Sequence, residues 1–233
     1  MTPIAGRAYG PVIPLAQAMR RRGLPHCRPH FPAVRIPEGR GRTPADGDHR
    51  ERGECPMFFP HTETRRVALR PAGADDAAAA YEVLLRLGTA GLPVLDVFTQ
   101  TFGEGLAACF LVRDKDTDEV VGLSTVSAVN PAGHLRIEVH LTGDTAGEIS
   151  GDVHALTANF AFSMWRTRKV YIHRTSPDTR AIGFGDAHEA MVRTEAILPE
   201  HTYFHGRLWD VHVLAIHRED WNTHGVALLE KIV

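Results

Sequence analysis

In "HLRIEVHL", His134 to Leu141, polar and apolar residues alternate. A period of two places Glu138 and His140 on one face of a strand and Ile137, Val139 and Leu141 on the other. In "KVYIHRT", Tyr171 and His173 likewise share a face, opposite Ile172. Carboxylates and imidazoles are side chains that can take a proton. His173 is the strongest single candidate, because an imidazole near its unperturbed pKa takes a proton at neutral pH. Plainer uses exist for both: a cross-strand charge for Glu138, a hydrogen-bonded strand imidazole for His173. A further concentration, "HTYFHGRLWDVH", gathers His201, Tyr203, His205, Trp209, Asp210 and His212 around a turn. Strand surfaces favour aromatic residues for packing alone, so composition does not decide its role.

Between the first two stretches runs "GDTAGEISGD", Gly143 to Asp152. A glycine-rich turn feeding a helix suits a phosphate, since helical N–H groups and the dipole attract anions. Yet this turn carries Asp144, Glu148 and Asp152 and no basic residue. Thr145 and Glu148 have the spacing of a capping box, a device that stabilises a helix by about 1 kcal/mol. Glu148 would also repel a phosphate there by about 1 kcal/mol or more at an effective dielectric near 20.

The elements that must position these groups follow from periodicity. "RRVALRP" reads as a strand, and "ADDAAAAYEVLLRLG" as a helix with acids in its first turn and Gly88 at its end. "LPVLDVFTQTFG" reads as a second helix. "LAACFLVRD", "EVVGLSTVSAV" and "HLRIEVHL" are strands separated by the turns "KDTD" and "NPAG". Ile149, Val153, Leu156, Phe160 and Met164 recur at helical steps before the strand "KVYIHRT". "EAMVRTEAIL" and "WDVHVLAIH" form a closing antiparallel pair around "HGR". Strands with helices at intervals indicate a mixed α/β or α+β sheet.

Residues 1–64 are rich in Pro, Gly and Arg without sustained periodicity, and read as a flexible, low-complexity extension to a domain over 65–233. Met57 is a candidate natural start. Arg20, Arg21 and Arg22 form a solvated basic cluster, and "HCRPH" lacks the paired ligands of a zinc site, so no metal is expected. A net charge of −2 gives no reason to expect nucleic acid, and no apolar run is long enough to span a bilayer. The order of charge in the first residues is wrong for a secretory signal, and three scattered cysteines make no disulfide framework. The expectation is a soluble, cytoplasmic protein.

By "RIEVHL", "NFAFSMWRTRKVYI", "GF", "WDVHVLAIHREDW" and their order, residues 66–221 resemble the GNAT N-acyltransferase superfamily, most closely the branch that acetylates protein N-termini and small amines. The resemblance implies a mostly antiparallel mixed sheet, splayed between its fourth and fifth strands and flanked by helices. It implies direct acyl transfer, by default acetyl, from acetyl-CoA or another acyl-CoA to a primary amine of a small molecule or peptide. The backbone of Val139, His140 and Leu141 would hold pantetheine and supply the oxyanion N–H. A general base would be Glu138 or His173. The family's pyrophosphate turn, R/Q-x-x-G-x-G/A, falls on "AGEISG": Ala146 and Ile149 depart from it, Gly151 keeps it, and Gly147 and Ser150 lie within it. The helix after "KVYIHRT" is shortened to "SPDTRAI", without the family's Tyr or Asn; Ser176 could replace its donor-contacting Ser. A shorter helix implies a more open acceptor side. The hairpin borders the acceptor pocket in this branch, so Tyr203 is a candidate acid, and Trp209 and Asp210 are candidate substrate contacts.

Two alternatives arise from the altered turn. One is an amide-forming enzyme of specialised metabolism fed by an acyl carrier protein or an aminoacyl-tRNA; the carrier would supply pantetheine without the nucleotide. The other is a GNAT-like module that binds without catalysing. Oligomerisation is compatible with either.

Overall fold

A computed structural model describes residues 60–89, 91–143 and 146–233. The stretch His26–His30, where no zinc site is expected, the Arg20–Arg22 cluster, Met57 and the Thr145 cap lie outside the described residues.

Strands β1 (Val67–Pro71), β2 (Leu106–Asp114), β3 (Val120–Asn130), β4 (His134–Leu141), β5 (Lys169–Arg174), β6 (Val192–Phe204) and β7 (Arg207–His217) form one sheet. Their order is β1-β2-β3-β4-β5-β7-β6, and the only parallel neighbours among them are β4 and β5. The long helix α3 (Ala146–Met164) makes that crossover. Its apolar stripe of Ile149, Val153 and Leu156 meets Leu135, Ile137, Val170 and Ile172 from β4 and β5 to form the larger core. On the opposite sheet face, α1 (Ala77–Arg86) and α2 (Leu95–Thr101) bury Ala80, Val83, Leu84 and Phe98 against Leu111 and Leu123. The mixed architecture and the predicted order of elements through β7 are therefore observed.

The chain does not end with the hairpin. After β7 it turns into α4 (Arg218–Asp220), a π-helical turn (Trp221–Gly225) and α5 (Val226–Ile232). Their polar residues hide this from a periodicity reading, but two side chains anchor them. Trp221 is fully buried beside Phe162 and Phe184. Arg218 donates to the carbonyls of Phe162, Trp165 and Thr167 at 2.6–2.8 Å, capping the C-terminal end of α3 with a cation where carbonyls lack partners.

The segment leading into β1 is likewise tied in. Thr64 Oγ1 donates to Asp152 Oδ2 (2.8 Å), and Arg66 forks onto both oxygens of Asp152 at 2.6 and 3.1 Å. Asp152, one of the three acids in the suspect turn, is thereby engaged in joining α3 to β1.

Candidate active site

β4 is paired with β3 as far as Gly122–Leu141, whereas its pairing with β5 stops at Ile137–Ile172. β5 continues along β7 to Arg174–His212. The two central strands therefore part after Ile137, exposing one edge of β4. Backbone groups alternate between the edges of a strand. Thr142 N–H donates to Val121 O (2.8 Å), so the alternation turns Val139 and Leu141 backbone groups into the opening and those of His140 toward β3. A Cβ at Gly122 would stand 2.5 Å from the His140 carbonyl oxygen, which explains a glycine inside a strand at this point.

Opposed cross-strand residues share a face. Ser127 opposes Arg136, Thr125 opposes Glu138 and Leu123 opposes His140; Leu123 packs in the α1–α2 core. On β5, Tyr171 opposes Arg136, and His173 continues the same face one step beyond the last pair. The sequence expectation that Glu138 and His140 share a face is met, and the topology brings His173 to the same side.

Glu138 is 8 % exposed and His140 4 %. Arg136 Nη2 lies 2.9 Å from Glu138 Oε1. His140 Nε2 stands 3.4 Å from Glu138 Oε2, close enough for attraction but too far for a good hydrogen bond. Burial pushes the Glu138 carboxyl up, but His140 and the Arg136 guanidinium prevail and hold it below the usual carboxylate range. For His173, burial and then Arg136 push the imidazole down to about 4, against a smaller opposing effect of Glu138. The reason for favouring His173, an unperturbed imidazole, therefore does not carry over to the folded chain. It is neutral at pH 7, yet a weaker base than expected.

Other candidates take different places. Ser150 Oγ donates to Ile182 O (3.1 Å), and a Cβ at Gly151 would overlap the Gly183 carbonyl oxygen. Both residues thus hold α3 against the 3-10 turn Thr179–Ile182, which with a second turn, Asp186–Met191, replaces a fuller helix after β5. Gly147 and Glu148 are exposed in the first turn of α3. Ser176 Oγ accepts from Asp178 N–H (3.2 Å). Tyr203 is 64 % exposed, paired with Leu208 near the tip of the β6–β7 hairpin, well past the last β5–β7 pair. Trp209 lies under the Arg207 guanidinium and donates to Phe204 O (3.0 Å). Asp210 Oδ1 accepts from Glu200 N–H (2.9 Å), fixing a bulge where Glu200 has φ of +50°. Of the hairpin residues, His201 acts electrostatically on His173.

Sequence reasoning missed Thr125, Ser127 and Arg136. The period of two that selected Glu138 also selects Arg136, and "LSTVS" carries the same alternation on β3. It also missed the α3 side of the opening. His154 there donates from Nδ1 to Ser150 O (2.8 Å), and burial, with the nearby Arg174, pushes its imidazole down to about 3. Burial also lowers the Arg174 guanidinium, which donates to Ala181 O (3.3 Å).

A sheet parted between a parallel pair, with a helix leading from one of those strands to the other, is the GNAT fold, and solved structures agree. Spermidine N-acetyltransferase from Vibrio cholerae in complex with CoA and spermine is 15 % identical, with a TM-score of 0.55 over 67 % of this chain and 98 % of that one. A dodecameric structure of the same enzyme, in an intermediate state, is 14 % identical, with a TM-score of 0.54 over 67 % and 96 %. Its manganese complex gives 14 %, 0.56, 68 % and 96 %. At such identity the likeness is one of fold. No protein-family model and no curated protein matches the sequence.

Proposed function

We propose that residues 65–233 form an N-acyltransferase domain that moves an acyl group, acetyl by default, from an acyl-CoA to a primary amine. One observation carries the reading: an ionised, buried carboxylate, Glu138, lies beside the open edge of β4. In this reading the thioester enters between β4 and β5, and the backbone N–H of Val139 or Leu141 meets its carbonyl oxygen. The neutral amine attacks the carbonyl carbon, forming C–N while C–S breaks. Glu138 holds the amine and accepts its proton, directly or through water, with His173 as the second acceptor. The thiolate leaves and takes up the proton released by the amine, relayed through Glu138 or water, to give the free thiol. Backbone donors at the oxyanion are expected to supply about 3 kcal/mol of this catalysis. A small-molecule acceptor agrees with the spermine bound by the fold neighbour, and its dodecamer makes an oligomer of this chain a reasonable expectation.

The use of Ser150 and Gly151 in packing favours a second reading of the donor, pantetheine borne on an acyl carrier protein. Calorimetry with CoA and acetyl-CoA, together with mass spectrometry of amine products from acetyl-CoA and from acetyl-pantetheine, tests both. Equal kcat/KM for the two thioesters supports the carrier reading, and a strong preference for acetyl-CoA supports the first. Neither binding nor amide formation from either donor would abandon the enzyme.

A further inference from the structure

The stripe shared by β3 and β4 holds an unusual set of polar atoms. Thr125 Oγ1, Ser127 Oγ, Arg136 Nε, Glu138 Oε2 and both ring nitrogens of His140 are buried without a hydrogen-bond partner among the described residues. Folded proteins leave few such atoms, because each loses water without recompense. Their contiguity matters more than their number. Thr125 faces Glu138 and Ser127 faces Arg136 across the ladder, so the open valences converge on one patch. Glu138 and His140 are each more than nine-tenths buried, and Arg136, with 21 % of its side chain exposed, connects the patch to solvent.

From this we propose, resting on the acyltransferase reading, that the acceptor is a small amine bearing its own carboxylate close to the nitrogen, an amino acid rather than a polyamine. The patch offers a carboxylate and a guanidinium 2.9 Å apart. A ligand that satisfies both must carry a cation and an anion only a few bonds apart. Its ammonium meets Glu138 Oε2, and its carboxylate takes the free Arg136 Nε–H, with the Ser127 hydroxyl as a neighbouring donor. A guanidinium edge is well suited to a carboxylate. Electrostatics also oppose a polycation. Arg136 acts on His173 as a positive charge, and Glu138 acts on it in the opposite sense. A second ammonium of a polyamine would meet Arg136 where an amino acid presents its carboxylate.

The test uses the full chain with CoA bound. L-amino acids, the matching amino acid amides and spermidine are titrated by calorimetry, then offered with acetyl-CoA as acceptors. At least one amino acid is expected to bind about tenfold or more tightly than its amide and than spermidine, since a charge-assisted hydrogen bond is at stake. Arg136→Gln should erase that preference, chiefly through KM, and Arg136→Lys should restore part of it. Thermal melts show whether each variant folds, and the wild-type preference stands as a measurement if one does not. Spermidine or the amides binding as well as the acids, or no amino acid binding at all, would overturn the proposal. Acetylation of spermidine alone would sink it while leaving the acyltransferase reading intact; amino acid binding without any amide product would do the reverse.

Discussion

Two carboxylates on one face of the sheet, Glu138 on β4 and Glu195 on β6, are handled in opposite ways. Glu195 is fully partnered: Lys169 Nζ and His217 Nε2 approach Oε1 at 2.5 and 2.8 Å, and Tyr171 donates to Oε2 at 2.9 Å. Those contacts, that with Lys169 foremost, pull its carboxyl down to about 2. Glu138 is more deeply buried, yet keeps one oxygen without a hydrogen bond beside hydroxyls and imidazole nitrogens in the same condition. An acid whose acceptor sites are used serves the fold. An acid buried at a cost and left incomplete is the one to which we assign a role beyond the fold.

The contrast predicts opposite responses to the same substitution. Glu138→Gln keeps an acceptor for Arg136 but loses the charge, and should lower kcat/KM by about a hundredfold or more, the usual range for a removed proton acceptor. Steady-state kinetics on variants with a native-like melt measure this, and an unchanged rate would end the role assigned to Glu138. Asp152→Ala, at a third carboxylate, should cost about 1–2 kcal/mol of stability in a denaturant titration. That figure is discounted because the Arg66 side chain is 49 % exposed. If Asp152→Ala stops transfer without loosening the fold, the structural role given to it fails.

The pH dependence separates the groups further. A histidine whose folded pKa is depressed must be deprotonated to remain folded. Its contribution is complete above the unfolded value near 6.5 and declines as pH falls toward about 4 for His173 and about 3 for His154. Glu195, also depressed, contributes above about 4.5 and loses that contribution as pH falls toward about 2. Stability should therefore start to decline below about pH 6.5, by up to about 1.4 kcal/mol per pH unit for each histidine. Denaturant midpoints from pH 7 to 4 follow the decline, which His173→Gln should make shallower. The smallest effect is expected for Glu195→Gln: about 1 kcal/mol after solvent screening, with kcat/KM nearly unchanged. A large loss of activity there would erase the distinction between the two acids.

Several family-like residues were legible in sequence for reasons that turn out to be packing. Gly183 lies against Gly151 with φ of +93°, and Phe184 and Trp221 meet in the core. Likewise, the acids of "GDTAGEISGD" diverge in use: Asp152 bonds to Thr64 and Arg66, whereas Glu148 stays in the exposed first turn. Spacing alone could not distinguish them, because the partners of Asp152 lie more than 80 residues away.

The sequence by itself determined the alternation in "HLRIEVHL", the apolar stripe of α3 and the order of elements, since each depends on neighbours within a few residues. It thereby placed Glu138 and His140 on one face and Ile137, Val139 and Leu141 on the other. Only the tertiary structure decided where β4 parts from β5, which polar atoms find partners, and that burial and Arg136 push the His173 imidazole down to about 4. Those outcomes depend on what distant segments bring opposite each side chain, and burial acts on a group only once that packing is complete.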